Sequence, residues 1–197
     1  MSVNGEAAAP MRLLTVCVGN ICRSPLAERL LRERFAASLP PGLVTVESAG
    51  VQGLAGRSME PHAAAELERL GGDAEGFVAR RIDADIADGA DLILAMTREV
   101  RSEVLTVQPR AIKRTFTIAE FAHLCRYAVE QDARIYTVAE LVAFAAKHRS
   151  VAAAYDLDVP DPMGRSVEVH REVADVIAGH VHVVSALLVP LVRAQNA

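Results

Sequence analysis

The sequence predicts an α/β fold: a parallel sheet with helices on both faces, a three-layer sandwich. Three observations predict it. Short apolar runs rich in β-forming residues alternate along the chain with amphipathic segments of helical period. The runs read as buried strands, which suits a sheet covered on both sides. A chain of 197 residues that is 51% hydrophobic and 23% charged has enough apolar side chains for one buried core.

Each element has a local signal. Residues 1–10 read as a disordered leader, and MSVNGEAAAP lacks the apolar stretch of a signal peptide. Arg12–Val18 is the first strand. Ser24, a good N-cap, and Pro25, suited to the first helical position, open a helix to about Ser38, and Leu39-Pro40-Pro41-Gly42 ends it. Val44–Ser48 is the second strand. Pro61–Leu70 is a helix stopped by Gly71-Gly72. Asp91–Ala95 is the third strand, Thr97–Val107 a helix ended by Pro109, and Thr115–Phe116 a short fourth strand. Capping boxes at Thr117-x-x-Glu120 and Thr137-x-x-Glu140 each open an Ala-rich helix. A long helix from about Ser166 to Val189 carries the stripe Val169, Val173, Val176, Ile177, Val184, Leu187 and Leu188. The organisation expected is one domain over 11–197, with a helical insertion near 120–153 that either packs on the core or forms a homodimer or partner interface.

Composition excludes several classes. A formal net charge of −4 and no Trp argue against general nucleic-acid binding. Three scattered cysteines (Cys17, Cys22 and Cys125) make no disulfide scaffold and suit a reducing cytoplasm. No Cys/His cluster has zinc spacing. The most apolar run, Val183–Val192, is too short for a bilayer and contains Pro190, so no membrane segment is expected.

In parallel sheets the ligand site lies past the carboxyl ends of the strands. There the chain reads VCVGNICRSP. Gly19 and Asn20 are residue types that readily take left-handed backbone angles. A loop with such angles curls its N–H groups inward as an anion nest, and the following helix aims its N-terminal dipole into the same hollow. Arg23 adds a planar fork for two phosphate oxygens. Helix N-termini and neighbouring cations stabilise a thiolate, and a thiolate beside a bound phosphate is an activated nucleophile. The chemistry predicted is phosphoryl transfer through a phosphocysteine on Cys17, later cleaved by water. No metal is needed, because the nest and Arg23 supply the positive charge. A bare C-x5-R is short enough to favour a structural cysteine with a surface arginine. The complete string of strand, Cys17, Gly19-Asn20, Arg23-Ser24-Pro25 and helix is far more specific.

Residues 12–35, centred on CVGNICRSP, resemble the phosphate loop of low-molecular-weight protein tyrosine phosphatases. The similarity extends to Glu47-Ser48-Ala49-Gly50, to Asp91–Met96 and to Asp158-Val159-Pro160-Asp161-Pro162, and covers most of the chain outside the leader and roughly 120–153. It implies a four-stranded parallel sheet of order 2-1-3-4 and a metal-independent, cofactor-free phosphatase acting on phosphotyrosine in proteins or on small phosphomonoesters. Cys17 would be the nucleophile and Arg23 the phosphate clamp, with Val18, Gly19, Asn20, Ile21, Cys22 and Ser24 completing the phosphate-binding loop. Ser24 would donate to the Cys17 sulfur, and Asn20, bonded to Ser48, would hold the loop. Asp161 would be the general acid, and Cys22 would form a disulfide with Cys17 as a reversible oxidative shut-off.

The residues themselves leave some alternatives open. Asp161-Pro162-Met163-Gly164 is also a good β-turn, and Asp156 and Asp158 are rivals for the acid. Cys22 reads equally as a small packing residue. Cys125 shares a helical face with Ile118, Phe121, Leu124 and Ala128 and reads as core. His180 reads as a satisfied core histidine, and Arg80, Arg81, Lys113 and Arg114 as surface. Family members that act on phosphotyrosine wall the pocket with aromatic side chains; here the corresponding loops offer Leu54 and Met163, an apolar slot, with Tyr155 unplaced. Three other functions share these features: a binding module without turnover, a related arginine phosphatase whose loop has Thr at the position of Ile21, and an arsenate reductase. The reductase needs further downstream cysteines in a mobile loop, which Cys125 does not supply.

Overall fold

The computed structural model describes residues 9–196, so most of the expected leader lies outside the described residues. The elements are β1 (Met11–Cys17), α1 (Arg23–Ala36), β2 (Val44–Gly50), α2 (Pro61–Arg69), α3 (Ala84–Asp88), β3 (Leu92–Ala95), α4 (Arg98–Val107), a 3-10 turn (Pro109–Lys113), β4 (Thr115–Thr117), α5 (Ile118–Glu130), α6 (Val138–Lys147), α7 (Arg149–Ala152) and α8 (Val167–Gln195). The four strands form one parallel sheet in the order β2-β1-β3-β4.

The period-two alternation of strands sorts the core into two layers. Leu13, Leu92 and Leu94 face the cluster built with α1, α2, α5, α6 and α8. Leu14, Val16, Ile93 and Ala95 face the other, which α3 and α4 cover. Both capping boxes form as the sequence predicts. Glu120, in the first of them, also pairs with Arg101 of α4 and Arg149 of α7, tying three helices together at one buried carboxylate. Along α6, Val138, Leu141 and Ala145 are buried in the core, while Ala139, Val142, Ala143 and Ala146 line a cavity of about 1020 Å³.

Two features depart from expectation. Helix α8 does not stop near Val189 but runs through Pro190 to Gln195, 29 residues in all. Proline removes one backbone donor, yet the helix continues because Leu188 and Val192 on either side are buried. By length and composition α8 could cross a membrane, the one such helix among the described residues. Here its stripe Val173, Ile177, Val181, Val184 and Leu188 packs in the core against α1, α2 and α5. His180, read as a satisfied core histidine, instead has a buried Nδ1 without a hydrogen-bond partner. Burial, with His123 and Arg126 nearby, lowers its pKa from 6.5 to about 4.

That shift fixes the sign of a pH effect. Between about 4 and 6.5 the unfolded chain binds a proton at His180 that the folded chain refuses, so stability rises with pH across that window. Urea unfolding of wild type should therefore lose more stability on going from about pH 7 to about pH 5 than unfolding of His180→Leu does. Equal losses would refute the assignment.

Candidate active site

Strand β1 ends at Cys17, residues 18–22 make a tight loop, and α1 begins at Arg23. The carbonyls of this loop point outward. Val51 N–H donates to Cys17 O, Gln52 to Val18 O, Leu54 to Gly19 O and Glu60 to Ile21 O, all at 2.9–3.0 Å. Because a trans peptide sets C=O and the next N–H on opposite sides, the N–H groups of residues 18, 19, 20 and 22 face the hollow. One of them, Asn20 N–H, donates to Cys17 Sγ at 3.2 Å.

The helix cap differs from the sequence reading. The N-cap is Cys22, no side chain caps the helix, and Ser24 is its second residue. Its hydroxyl is engaged elsewhere: Ser24 Oγ lies 3.0 Å from Cys17 Sγ and 3.3 Å from Ala49 O. The first turn is held from below by Thr15, fully buried, whose hydroxyl donates to Ser24 O at 2.8 Å.

Asn20 is the joint of the loop. Its φ is +56°, the left-handed region, whereas Gly19 does not need that region and is absent from the positive-φ glycines. The Asn20 side chain uses every group it has. Nδ2 donates to Ser24 Oγ at 2.9 Å and to Ser48 Oγ at 2.8 Å, and Oδ1 accepts from Arg80 N–H at 2.9 Å. Ser48 in turn donates to buried Glu28. A continuous buried chain thus runs Glu28–Ser48–Asn20–Ser24–Cys17. The loop crosses Gly50 so closely that a Cβ there would sit 2.5 Å from Val18 O. Glycine is required for that approach.

Arg23 is buried beneath the rim. It donates Nη1 to Val159 O at 3.1 Å and Nη2 to Asp161 Oδ2 at 2.7 Å. Asp161, half exposed, also accepts Met163 N–H, so the turn and the pairing coexist. Of the three candidate acids only Asp161 reaches Arg23. Asp158 is clamped by Arg98, through Nη2 at 2.8 Å and the backbone N–H at 2.7 Å, and that guanidinium holds its carboxyl below the ordinary value of 3.8. Asp156 accepts the Asp158 N–H within the loop.

Cys22 is buried in the core, and burial, then Glu60, push its thiol up to about 12. Cys17, Cys22 and Cys125 are free thiols, and burial also raises Cys125 to about 12. Leu54 lies over Gly19, and Leu54 and Met163 are both exposed at the mouth. Tyr155 stacks on His123 of α5 at 3.9 Å. Sequence reasoning missed Thr15, Glu28 and Glu60, and read Arg80 as surface although its backbone and Nε hold Asn20 and Ser48. An apolar strand interrupted by a threonine was the one available signal, for Thr15.

A tight loop with inward N–H groups and a cysteine at its base, on a four-stranded parallel sheet, defines a class of cysteine-loop α/β proteins. Comparison with known proteins gives the family. The sequence profile of the low molecular weight phosphotyrosine protein phosphatases matches residues 12–130. The chain is 35% identical over 109 residues to the low molecular weight protein-tyrosine-phosphatase Ptp of Acinetobacter johnsonii, covering 55% of this chain and 72% of that protein. It is 40% identical over 109 residues to Etp of Escherichia coli K12, covering 55% and 70%. In structure it resembles the YwlE arginine phosphatase of Geobacillus stearothermophilus, with 28% identity and a TM-score of 0.68 over 90% of this chain and 92% of that one. The chain belongs to the low-molecular-weight protein tyrosine phosphatase family, a family of phosphatase enzymes.

Two tests follow from the geometry. Asn20→Ala removes three side-chain hydrogen bonds, two buried and one part-buried, and should cost roughly 1.5–4.5 kcal/mol in urea unfolding, at about 0.5–1.5 kcal/mol each. Alkylation of Cys17 by iodoacetamide should slow alongside; unchanged values of both would deny Asn20 its role as the joint. For Asp158, the depressed folded pKa means that its contribution is present above 3.8 and lost as pH falls through the folded value. Asp158→Asn should be less stable than wild type at neutral pH, and the gap should close in acid.

Proposed function

We propose that this protein hydrolyses phosphotyrosine in proteins through a phosphocysteine on Cys17. The observation that carries this reading is the convergence on one sulfur of Asn20 N–H and Ser24 Oγ, with the Arg23–Asp161 pair at 2.7 Å above it. The substrate phosphate takes the inward N–H groups of the loop and the fork of Arg23, displacing the Asp161 carboxylate from that fork. The Cys17 thiolate attacks phosphorus and the P–O bond to the phenol breaks. Asp161, freed from Arg23, takes up a proton from solvent and delivers it to the leaving oxygen. In the second step the Asp161 carboxylate takes a proton from water, whose oxygen attacks phosphorus. The P–S bond breaks, inorganic phosphate leaves, and Ser24 donates to the departing sulfur. The charge that develops on the phosphoryl oxygens is met by the loop N–H groups and Arg23.

The phenol end of the site is supported by residues, not by identity alone. Ile21 and Leu54, both beside Gly19, and Met163 on the Asp161 turn offer an apolar slot for a ring. The arginine phosphatase relative gives the rival substrate, a phosphoguanidine. The three free thiols suit a reducing cytoplasm. There Cys22 is the partner we assign to an oxidised Cys17; held protonated, it reacts faster as pH rises.

Hydrolysis of an aryl phosphate, with chelator present, tests the chemistry. Cys17→Ser should abolish turnover while still binding phosphate, and Asp161→Asn should lower kcat by roughly 10²–10⁴-fold. Full activity in either variant rejects its assigned role, and no turnover by wild type favours a phospho-ligand binding module. A panel of phosphotyrosine, phosphoserine and phosphoarginine peptides decides the substrate. Preference for phosphoarginine overturns the phenol assignment.

A further inference from the structure

Every strand of the sheet starts at one cavity. Met11 opens β1, Leu43 precedes β2, Asp91 precedes β3 and Arg114 precedes β4, and all four line the hollow of about 1020 Å³ beside α6. The catalytic loop lies at the opposite ends of the strands. At about 3.3 Å per residue, the seven residues of β1 put Cys17 about 20 Å away. The volume reaches the upper end of the roughly 300–1,000 Å³ of small-molecule sites.

The lining changes character along α6, whose ten residues span about 15 Å. At the amino end Val138 N–H donates to Gln195 Oε1 at 3.0 Å, and Asn196 donates its amide to Val192 O, so this end is neutral. The middle is apolar, with Met11, Leu43, Val138, Val142 and Val192 as its floor. At the carboxyl end Lys147 comes beside Arg110 and Lys113 of the 3-10 turn. Arg149, just past α6, ties that turn to it by donating Nη2 to Ile112 O at 2.9 Å.

The carboxylates of the lining do not neutralise the basic end. Asp88 pairs with Arg114 at 3.2 Å, and Asp91 accepts Arg12 N–H at 2.8 Å. Among the described residues, Arg110, Lys113 and Lys147 make no ion pair and no side-chain hydrogen bond, and all three are exposed, so their charged ends are open to a ligand. Three cations gathered at one end of a hollow reverse the sign locally on a chain of net charge −4. An apolar trough closed by free cations is complementary, in shape and in charge, to an apolar chain that ends in an anion. The fork of Arg110 suits a carboxylate head.

We propose that this cavity binds a small amphipathic carboxylate, with its apolar chain along α6 and its head on Arg110, Lys113 and Lys147. The site is separate from the phosphate loop and needs nothing from it.

Decanoate is the probe, and the backbone amide resonances of the full wild-type chain are the readout. Ala139, Ala143 and Lys147 report the cavity; Asn20 reports the catalytic loop. The first three should move on one saturable curve whose midpoint Asn20 does not share. 1-Decanol, which lacks the charge, and acetate, which lacks the chain, should each bind there at least about tenfold more weakly. Ala143→Trp, at an exposed position of the lining, should weaken decanoate by at least about tenfold by filling the trough. Lys113→Glu combined with Lys147→Glu should do the same by reversing the charge. If decanoate leaves Ala139, Ala143 and Lys147 still, or if decanol matches it, the proposal fails. It fails also if the shifts follow protein concentration rather than decanoate, which would make the occupant a second copy of this chain. The wild-type comparison of the three probes decides alone, whatever the folding of the variants.

Discussion

Everything in the site hangs on the bend at Asn20. A loop that presents N–H groups to an anion must turn its carbonyls away, and here the turn passes through a left-handed residue at φ +56°. A non-glycine residue in a sparsely populated region costs on the order of 1–3 kcal/mol and persists only where its surroundings over-determine it. Asn20 is over-determined: its amide makes three hydrogen bonds, and its N–H a fourth to Cys17 Sγ. Three of the four are buried and the one from Arg80 is part-buried, where a satisfied polar network is strong and a broken one costly. The same bonds that hold the bend also reach Ser24 and hence the sulfur. Conformation and reactivity are set by one network.

The sheet explains why the pieces meet. Strands β1, β2 and β3 all end on one edge, so the chain that follows each is delivered to the same place. The segment after β1 is the loop itself. Strand β2 ends on Gly50, and the segment after it supplies the outward acceptors' partners at residues 51–60, Leu54 among them. The residue after β3, Met96, accepts Val159 N–H at 2.8 Å and so anchors the turn carrying Asp161. Arg23 then closes the arrangement by bonding Val159 O and Asp161. No single stretch of sequence contains the site. It exists because parallel crossovers return each strand in the same direction.

What was legible in the sequence follows from the range of the forces. Strand periodicity, capping boxes and turn residues act over a few positions, and Thr117, Thr137 and Gly71-Gly72 marked their elements well. Cys17, Arg23 and Asn20 were legible because the loop is one continuous string. Ser24 was misread as an N-cap because its local preference lost to a tertiary partner, the sulfur 3.0 Å away. The last helix, expected to end near Val189, runs on through Pro190 because the flanking side chains are buried. Arg80, Thr15 and Glu28 carried no local mark at all. An arginine that donates its backbone N–H to an asparagine sixty positions earlier looks, in sequence, like any surface arginine.

The site divides its labour by depth. Its phosphate end is buried: Cys17, Asn20, Ser24 and Arg23 are almost wholly covered and mutually bonded. Any change there breaks several bonds together. Its leaving-group end is open: Leu54, Met163 and the Asp161 carboxylate are substantially exposed, and the two apolar side chains make no hydrogen bond that fixes them. Such side chains can be exchanged at little cost to folding, since surface substitutions rarely change stability by more than about 0.5 kcal/mol. On the proposed reading, the hold on phosphorus is locked into the fold, whereas the choice between a phenol and a guanidine is left to a few side chains that the fold does not constrain. Relatives named as a protein-tyrosine-phosphatase and as an arginine phosphatase fit that division of constraint.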